Sequence, residues 1–176
     1  MNKKLKRLCV ISMLIAISSV LSYLESFIPV FVPGVKLGLA NVIILIMLYE
    51  FKFYEALIVD ILRILVVSLI LGTIGSPKFF MSLSGGLVSY CVMLLFSRIK
   101  VFSPIGVSVL GSISHAFGQI IVAIIIMGTK AVMYYLPFIA LLSLITGILS
   151  GVITKVYLKR SITGMFVEIN NKDGIE

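Results

Sequence analysis

The residues of this 176-residue chain that could do chemistry are few, and they lie inside apolar runs. Asp60 and Arg63 stand three apart in one such run, so they share a face if the run is helical. A charge near the middle of a bilayer costs about 2.5–3.5 kcal/mol, so such a pair needs either a partner or a purpose. Two readings of Asp60 and Arg63 stand side by side: a structural ion pair between helices, and an anion anchor or gating pair. Further along, Ser108, Ser112, His115 and Gln119 recur at intervals of four, three and four, which places them on one helical stripe. That stripe either hydrogen-bonds neighbouring helices or meets a polar solute, and the only histidine of the chain lies on it.

Catalysis is poorly supplied. The only aspartates are Asp60 and Asp173, so the clustered carboxylates that hold magnesium and diphosphate are missing from the sequence. No P-loop, paired metal-ligand motif or nucleophile elbow is present in it. The expectation is a protein that is not an enzyme and carries no cofactor or metal. Cys9 and Cys91 fall in apolar runs without metal-ligand spacing and read as small apolar fillers.

The elements that must position these residues are membrane helices. Of all residues 60% are hydrophobic and 12% charged, far from the balance of a water-soluble domain. A helical span takes about 20 residues, so the length allows about six spans. The basic start, Met1 to Arg7, followed by an apolar run resembles a signal peptide, but the run is too long and lacks a small-x-small cleavage site. It reads as helix 1, Lys6 to Leu24. Pro, Gly and charge then delimit an interfacial loop at Glu25 to Lys36, helix 2 at Leu37 to Tyr49, a turn at Glu50 to Glu55, helix 3 to Leu71, a break at Gly72 to Lys78, helix 4 to Phe96, helix 5 at Ile105 to Met127 and helix 6 at Val132 to Leu158. The expected architecture is therefore all-α: one transmembrane domain over 1–160 and a polar cytoplasmic tail over 161–176.

A net charge of +8 does not point to nucleic acid, because the basic residues sit in ones and small groups at the ends of apolar runs, where anionic headgroups lie. With both termini cytoplasmic, Lys3, Lys4, Lys6, Arg7, Lys52, Arg98, Lys100, Lys155, Lys159 and Arg160 lie inside, and Lys36, Lys78 and Lys130 outside, as the positive-inside rule requires. The expected location is the cytoplasmic membrane of a bacterium. Ser82, Ser84, Gly85, Gly86 and Ser89 in helix 4, and Ser143, Thr146, Gly147, Ser150, Gly151 and Thr154 in helix 6, are small faces that permit close backbone approach. Ser12 and Ala16 form a small pair on helix 1, a docking face for a partner.

Four segments carry a resemblance: Gly34-Val-Lys-Leu-Gly-Leu-Ala-Asn41 following Glu25-Ser-Phe-Ile-Pro29, Ser82-Leu-Ser-Gly-Gly-Leu-Val-Ser89, His115-Ala-Phe-Gly-Gln119, and Tyr135-Leu-Pro137. Together they resemble the Gx transporter family, also labelled heptaprenyl diphosphate synthase component I, with Ala116 standing where that family has asparagine. The family in turn is similar to the S-components of energy-coupling factor transporters, six-helix proteins that bind a vitamin-like solute from outside. The resemblance implies uptake of a small solute, with Lys36, Asn41, Ser84, Gly85, Gly86, His115, Gln119, Tyr134 and Tyr135 around it. It also implies that Ser12 and Ala16 face a transmembrane coupling subunit that works with ATPases. The family's other label implies an alternative, a non-catalytic membrane subunit that recruits a soluble prenyl synthase.

Overall fold

The computed structural model describes residues 3–27, 36, 38–99 and 101–161. Most of the expected interfacial loop, Lys100 and all but the first residue of the expected polar tail lie outside them. Within them the chain is helical: α1 Lys3–Glu25, α2 Asn41–Glu50, α3 Phe53–Ile70, α4 Pro77–Ser97, α5 Pro104–Met127 and α6 Leu136–Ser161, with a 3-10 segment at Lys130–Tyr135.

Local chemistry explains where these helices start. Pro77 and Pro104 occupy the first turns of α4 and α5, where a missing N–H costs nothing. The Ser103 side chain accepts from the Gly106 amide, an N-cap that satisfies one orphan donor. Gly128 closes α5 at φ +63°, a left-handed cap that glycine adopts without strain. Helix 3 begins at Phe53 because the Glu55 carboxylate accepts the Lys52 amide at 3.1 Å and draws Phe53 and Tyr54 into the first turn. The last helix starts at Leu136 rather than Val132, since Lys130–Tyr135 winds as a 3-10 segment.

Helix α2 is the departure with most consequence. It begins at Asn41, not Leu37, and its ten residues rise about 15 Å, half the hydrocarbon thickness. Asn41 through Met47 are all buried, and a helix apolar all round belongs inside a bundle. It touches each of the other five helices. Four stretches are long and apolar enough to cross a membrane: Leu5–Glu25, Pro77–Ser97, Pro104–Met127 and Lys130–Arg160. Helix α3 has 18 residues, but Glu55, Asp60 and Arg63 interrupt its apolar character.

Helix α5 packs most extensively, between α4 and α6. Glycine makes both crossings. A methyl group on Gly118 would stand 2.9 Å from the Ser84 carbonyl oxygen, and one on Gly151 2.6 Å from Ile105 Cα, so only glycine permits these contacts. Cys9 and Cys91 are free and exposed. They face outward from the bundle and do not fill its interior as expected.

Candidate functional site

Two hydrogen-bonded chains cross the bundle interior. The first starts at the expected ion pair. Arg63 Nε donates to Asp60 Oδ1 at 2.8 Å and Arg63 Nη2 donates to Asn41 Oδ1 at 3.0 Å. Asn41 Nδ2 donates to Ser89 Oγ at 2.9 Å, and the Ser89 hydroxyl donates to the Gly111 carbonyl at 2.8 Å. Helices α3, α2, α4 and α5 are thus tied through one line of polar atoms. Asp60 and Arg63 are 1% and 3% exposed, and a charge so placed is tolerable only when paired and hydrogen-bonded.

The second chain starts on α5. Gln119 Nε2 lies 3.0 Å from His115 Nε2. An amide NH₂ only donates, so His115 Nε2 is the acceptor and the ring proton resides on Nδ1. Gln119 Oε1 accepts the main-chain amide of Lys36 at 3.0 Å, and Lys36 Nζ donates to Ser22 Oγ at 3.2 Å. The Glu25 carboxylate, on the same face of α1 three residues after Ser22, accepts the amides of Gly38 and Leu39. Burial pushes the Lys36 ammonium down to about 8, with the Glu25 carboxylate opposing and Arg63 and Lys78 adding to the fall.

The two chains meet at Gly38 and at the Gly85-Gly86 pair. A methyl on Gly38 would lie 3.1 Å from Asn41 Nδ2 and 3.8 Å from Ser112 Oγ. One on Gly85 would meet Gln119 Cγ at 2.7 Å, and one on Gly86 would meet Asp60 Oδ2 at 3.0 Å. The paired glycines therefore let α4 lie against both chains at once. Lys36 and Glu25, Arg63 and Asp60 sum to no net formal charge, so the cluster carries strong local fields without a large uncompensated charge.

Of the residues the sequence singles out, the structure brings together Lys36, Asn41, Gly85, Gly86, His115, Gln119, Asp60 and Arg63. Ser84 stands at the edge, donating to the Gly118 carbonyl at 2.8 Å. It also borders an open apolar groove of about 520 Å³ between α4 and α5, whose other walls include Phe80, Leu83, Leu87, Val122 and Ile126. Tyr134 and Tyr135 are not part of the cluster: they are exposed on the 3-10 segment, Tyr134 at 88%. Ser12 and Ala16 are exposed on α1, away from the polar chains. Ser108 faces α6, where Gly151 leaves room for it. Sequence reasoning missed Glu25, Ser22 and the bonding role of Ser89. A carboxylate at the end of an apolar helix, with a serine three residues earlier, is the signal that marks the first two.

The arrangement offers donors and acceptors in a low-dielectric interior, where hydrogen bonds and charges act strongly. Among the described residues no group of three or more His, Cys, Asp or Glu side chains is placed to hold a metal ion.

A family model described as heptaprenyl diphosphate synthase component I matches residues 14–157. Comparison with curated proteins and with solved structures returned no match. With most of its length covered by that one description, from within α1 to near the end of α6, the chain belongs to the heptaprenyl diphosphate synthase component I family.

Proposed function

We propose that this protein is a membrane-embedded binding subunit that takes up a small polar solute, of the vitamin or cofactor-precursor kind, and is energised by separate ATP-hydrolysing partners. The observation that carries the reading is the buried polar cluster. Buried Glu25, Asp60 and Arg63 and half-buried Lys36 converge with a histidine and two amides, and each charge within a bundle of apolar helices is costly. In this reading α3 crosses the membrane with the four long apolar helices, and short α2 lies among them. Both termini and the polar tail lie in the cytoplasm of a bacterium, and the solute arrives from outside. Ser12 and Ala16, exposed on α1, meet the coupling subunit.

A second reading rests on the family description: a non-catalytic membrane subunit that partners a soluble synthase and handles its prenyl lipid. The open apolar groove beside Ser84 favours it, since it offers an isoprenoid chain a place to lie.

Native mass spectrometry of the protein purified in mild detergent separates the two. A retained polar small molecule, lost in His115→Ala and Gln119→Ala variants that remain folded, supports uptake. A retained prenyl lipid or a bound synthase chain moves the assignment to the second reading.

A further inference from the structure

Glu25 is oddly placed. It is the last residue of α1, where the partial negative charge of the helix end disfavours a carboxylate. It is 3% exposed, so water does not compensate it. Its oxygen Oε1 instead takes the amides of Gly38 and Leu39. Those amides belong to the turn that leads into α2, whose N-cap residue Ala40 has no side chain able to accept a hydrogen bond. Gly38 holds φ +89°, a backbone conformation that lets successive N–H groups converge on one oxygen. Glu25 thus fixes from α1 the turn whose Gly38 and Leu39 carbonyls accept the Asn41 and Val42 amides at the start of α2. Two residues upstream of the clamp, the Lys36 amide reaches Gln119 while its ammonium reaches Ser22, one turn before Glu25 on α1.

We infer that Glu25 is a positioning residue of the polar site: by clamping the Gly38 and Leu39 amides it seats Lys36 on Gln119 and holds this stretch over Ser112 and His115. The solute then meets a Lys36 whose place is set from α1. This rests on the polar cluster being the binding site, but the clamp itself is testable with no solute present, so its failure and the failure of the uptake reading are told apart.

The reporter is Ser112→Cys in a Cys9→Ser, Cys91→Ser background. Ser112 is 1% exposed, and its hydroxyl lies beneath Gly38 with no hydrogen-bond partner among the described residues. Its reaction with a charged methanethiosulfonate in detergent measures how often the stretch lifts. Ser150→Cys on α6, equally buried, is the control for general loosening. Glu25→Ala is expected to raise the Ser112→Cys rate by about tenfold or more, because a charge-assisted clamp is lost and local opening sets access. The control rate stays within about twofold, the scale of a change that leaves the global opening equilibrium alone. Glu25→Gln, which keeps an acceptor oxygen, restores slow reaction. An unchanged Ser112→Cys rate, a parallel rise at both cysteines, or a glutamine variant as open as alanine overturns the inference. Should Glu25→Ala not fold, hydrogen–deuterium exchange on the unaltered protein decides: the Gly38 and Leu39 amides are protected like those of α2, and free exchange at both overturns the clamp.

Discussion

The two flanks of α5 and α1 are held to the bundle by different physics. Around α5, glycines bring backbones into contact: Gly118 against Ser84 and Gly85, Gly147 against Val109, Gly151 against Ile105. Around α1, apolar packing by Ile11, Leu14, Ile15 and Leu21 is flanked by charged contacts: Arg7 with Glu55 toward one end, Glu25 with Gly38 and Leu39 at the other. Lipid tails are as apolar as leucine, so burying more leucine does not drive helices together in a bilayer; close packing and polar contacts do. Backbone packing leaves no room between α4 and α5 where Gly118 crosses Ser84 and Gly85, and the apolar groove bordered by Ser84 lies beside that crossing. Charged contacts leave groups that can exchange partners, and Glu25, Lys36, Asp60 and Arg63 all lie on α1, on α3 or on the segment before α2.

The largest expected effect comes from breaking the charged side at its centre. Arg63→Leu leaves the Asp60 carboxylate buried and Asn41 without its donor, and losses of this kind run at about 3–5 kcal/mol. The double variant Asp60→Leu, Arg63→Leu recovers part of that loss, because no lone charge remains. Thermal unfolding in detergent, followed by circular dichroism, measures both. If the single variant is as stable as the parent, Arg63 is not what ties α3 to α2 through Asn41, and the contrast between the flanks fails.

This pair was readable from the sequence because its partners are three residues apart on one helix, where spacing alone brings them together. The stripe of His115 and Gln119 was readable for the same reason, and so were the small faces of α4 and α6. What spacing does not encode is a bond between distant segments. Asn41 and Ser89 are 48 positions apart, and Lys36 and Gln119 are 83 apart, so their pairing depends on how four helices pack. The start of α2 was misread because a helix apolar on every face has no periodicity to mark its first turn. It begins after the turn at Gly38, whose carbonyl accepts the Asn41 amide and whose own amide is held by Glu25 on another helix. The expected site residues Tyr134 and Tyr135 came only from the resemblance, and the 3-10 winding that turns them outward depends on Thr129 accepting the Ala131 amide.

The backbone-packed flank is tested by the sign of an effect. Gly118→Ala forces a methyl onto the Ser84 carbonyl and Gly85, and is expected to destabilise by about 1–2 kcal/mol after the helix-propensity gain of alanine is subtracted. Gly106→Ala lies on the same helix, where the new methyl meets its nearest neighbour, Phe102, at an ordinary 3.6 Å. There the substitution stabilises by a few tenths of a kcal/mol, about what propensity alone allows near a helix start. Chemical denaturation of the two variants under identical detergent conditions gives the comparison. Equal shifts in the same direction would mean that α4 and α5 are not in backbone contact.

The smallest effect separates pairing from capping on the charged flank. Arg7 Nε and Nη2 each reach a Glu55 oxygen at 3.0 Å, and Glu55 Oε2 also accepts the Lys52 amide at 3.1 Å. The Arg7 and Glu55 side chains are 21% and 11% exposed, so water and salt screen their attraction. Arg7→Met is therefore expected to cost about 0.5–1 kcal/mol, a loss that fades at high salt as screening removes what the parent gained. Glu55→Ala removes the same pair and also the group that holds the first turn of α3 at the positive end of that helix, so it costs about 1–2 kcal/mol. The excess of the second loss over the first survives high salt, since a hydrogen bond to a main-chain amide is screened far less than an ion pair near the surface. Unfolding midpoints of the two variants at low and high salt supply the four values needed. Equal losses at low salt would assign Glu55 to the ion pair alone. A persistent difference shows that α3 keeps its own start, and that α1 is joined to it by an attachment weak enough to be remade.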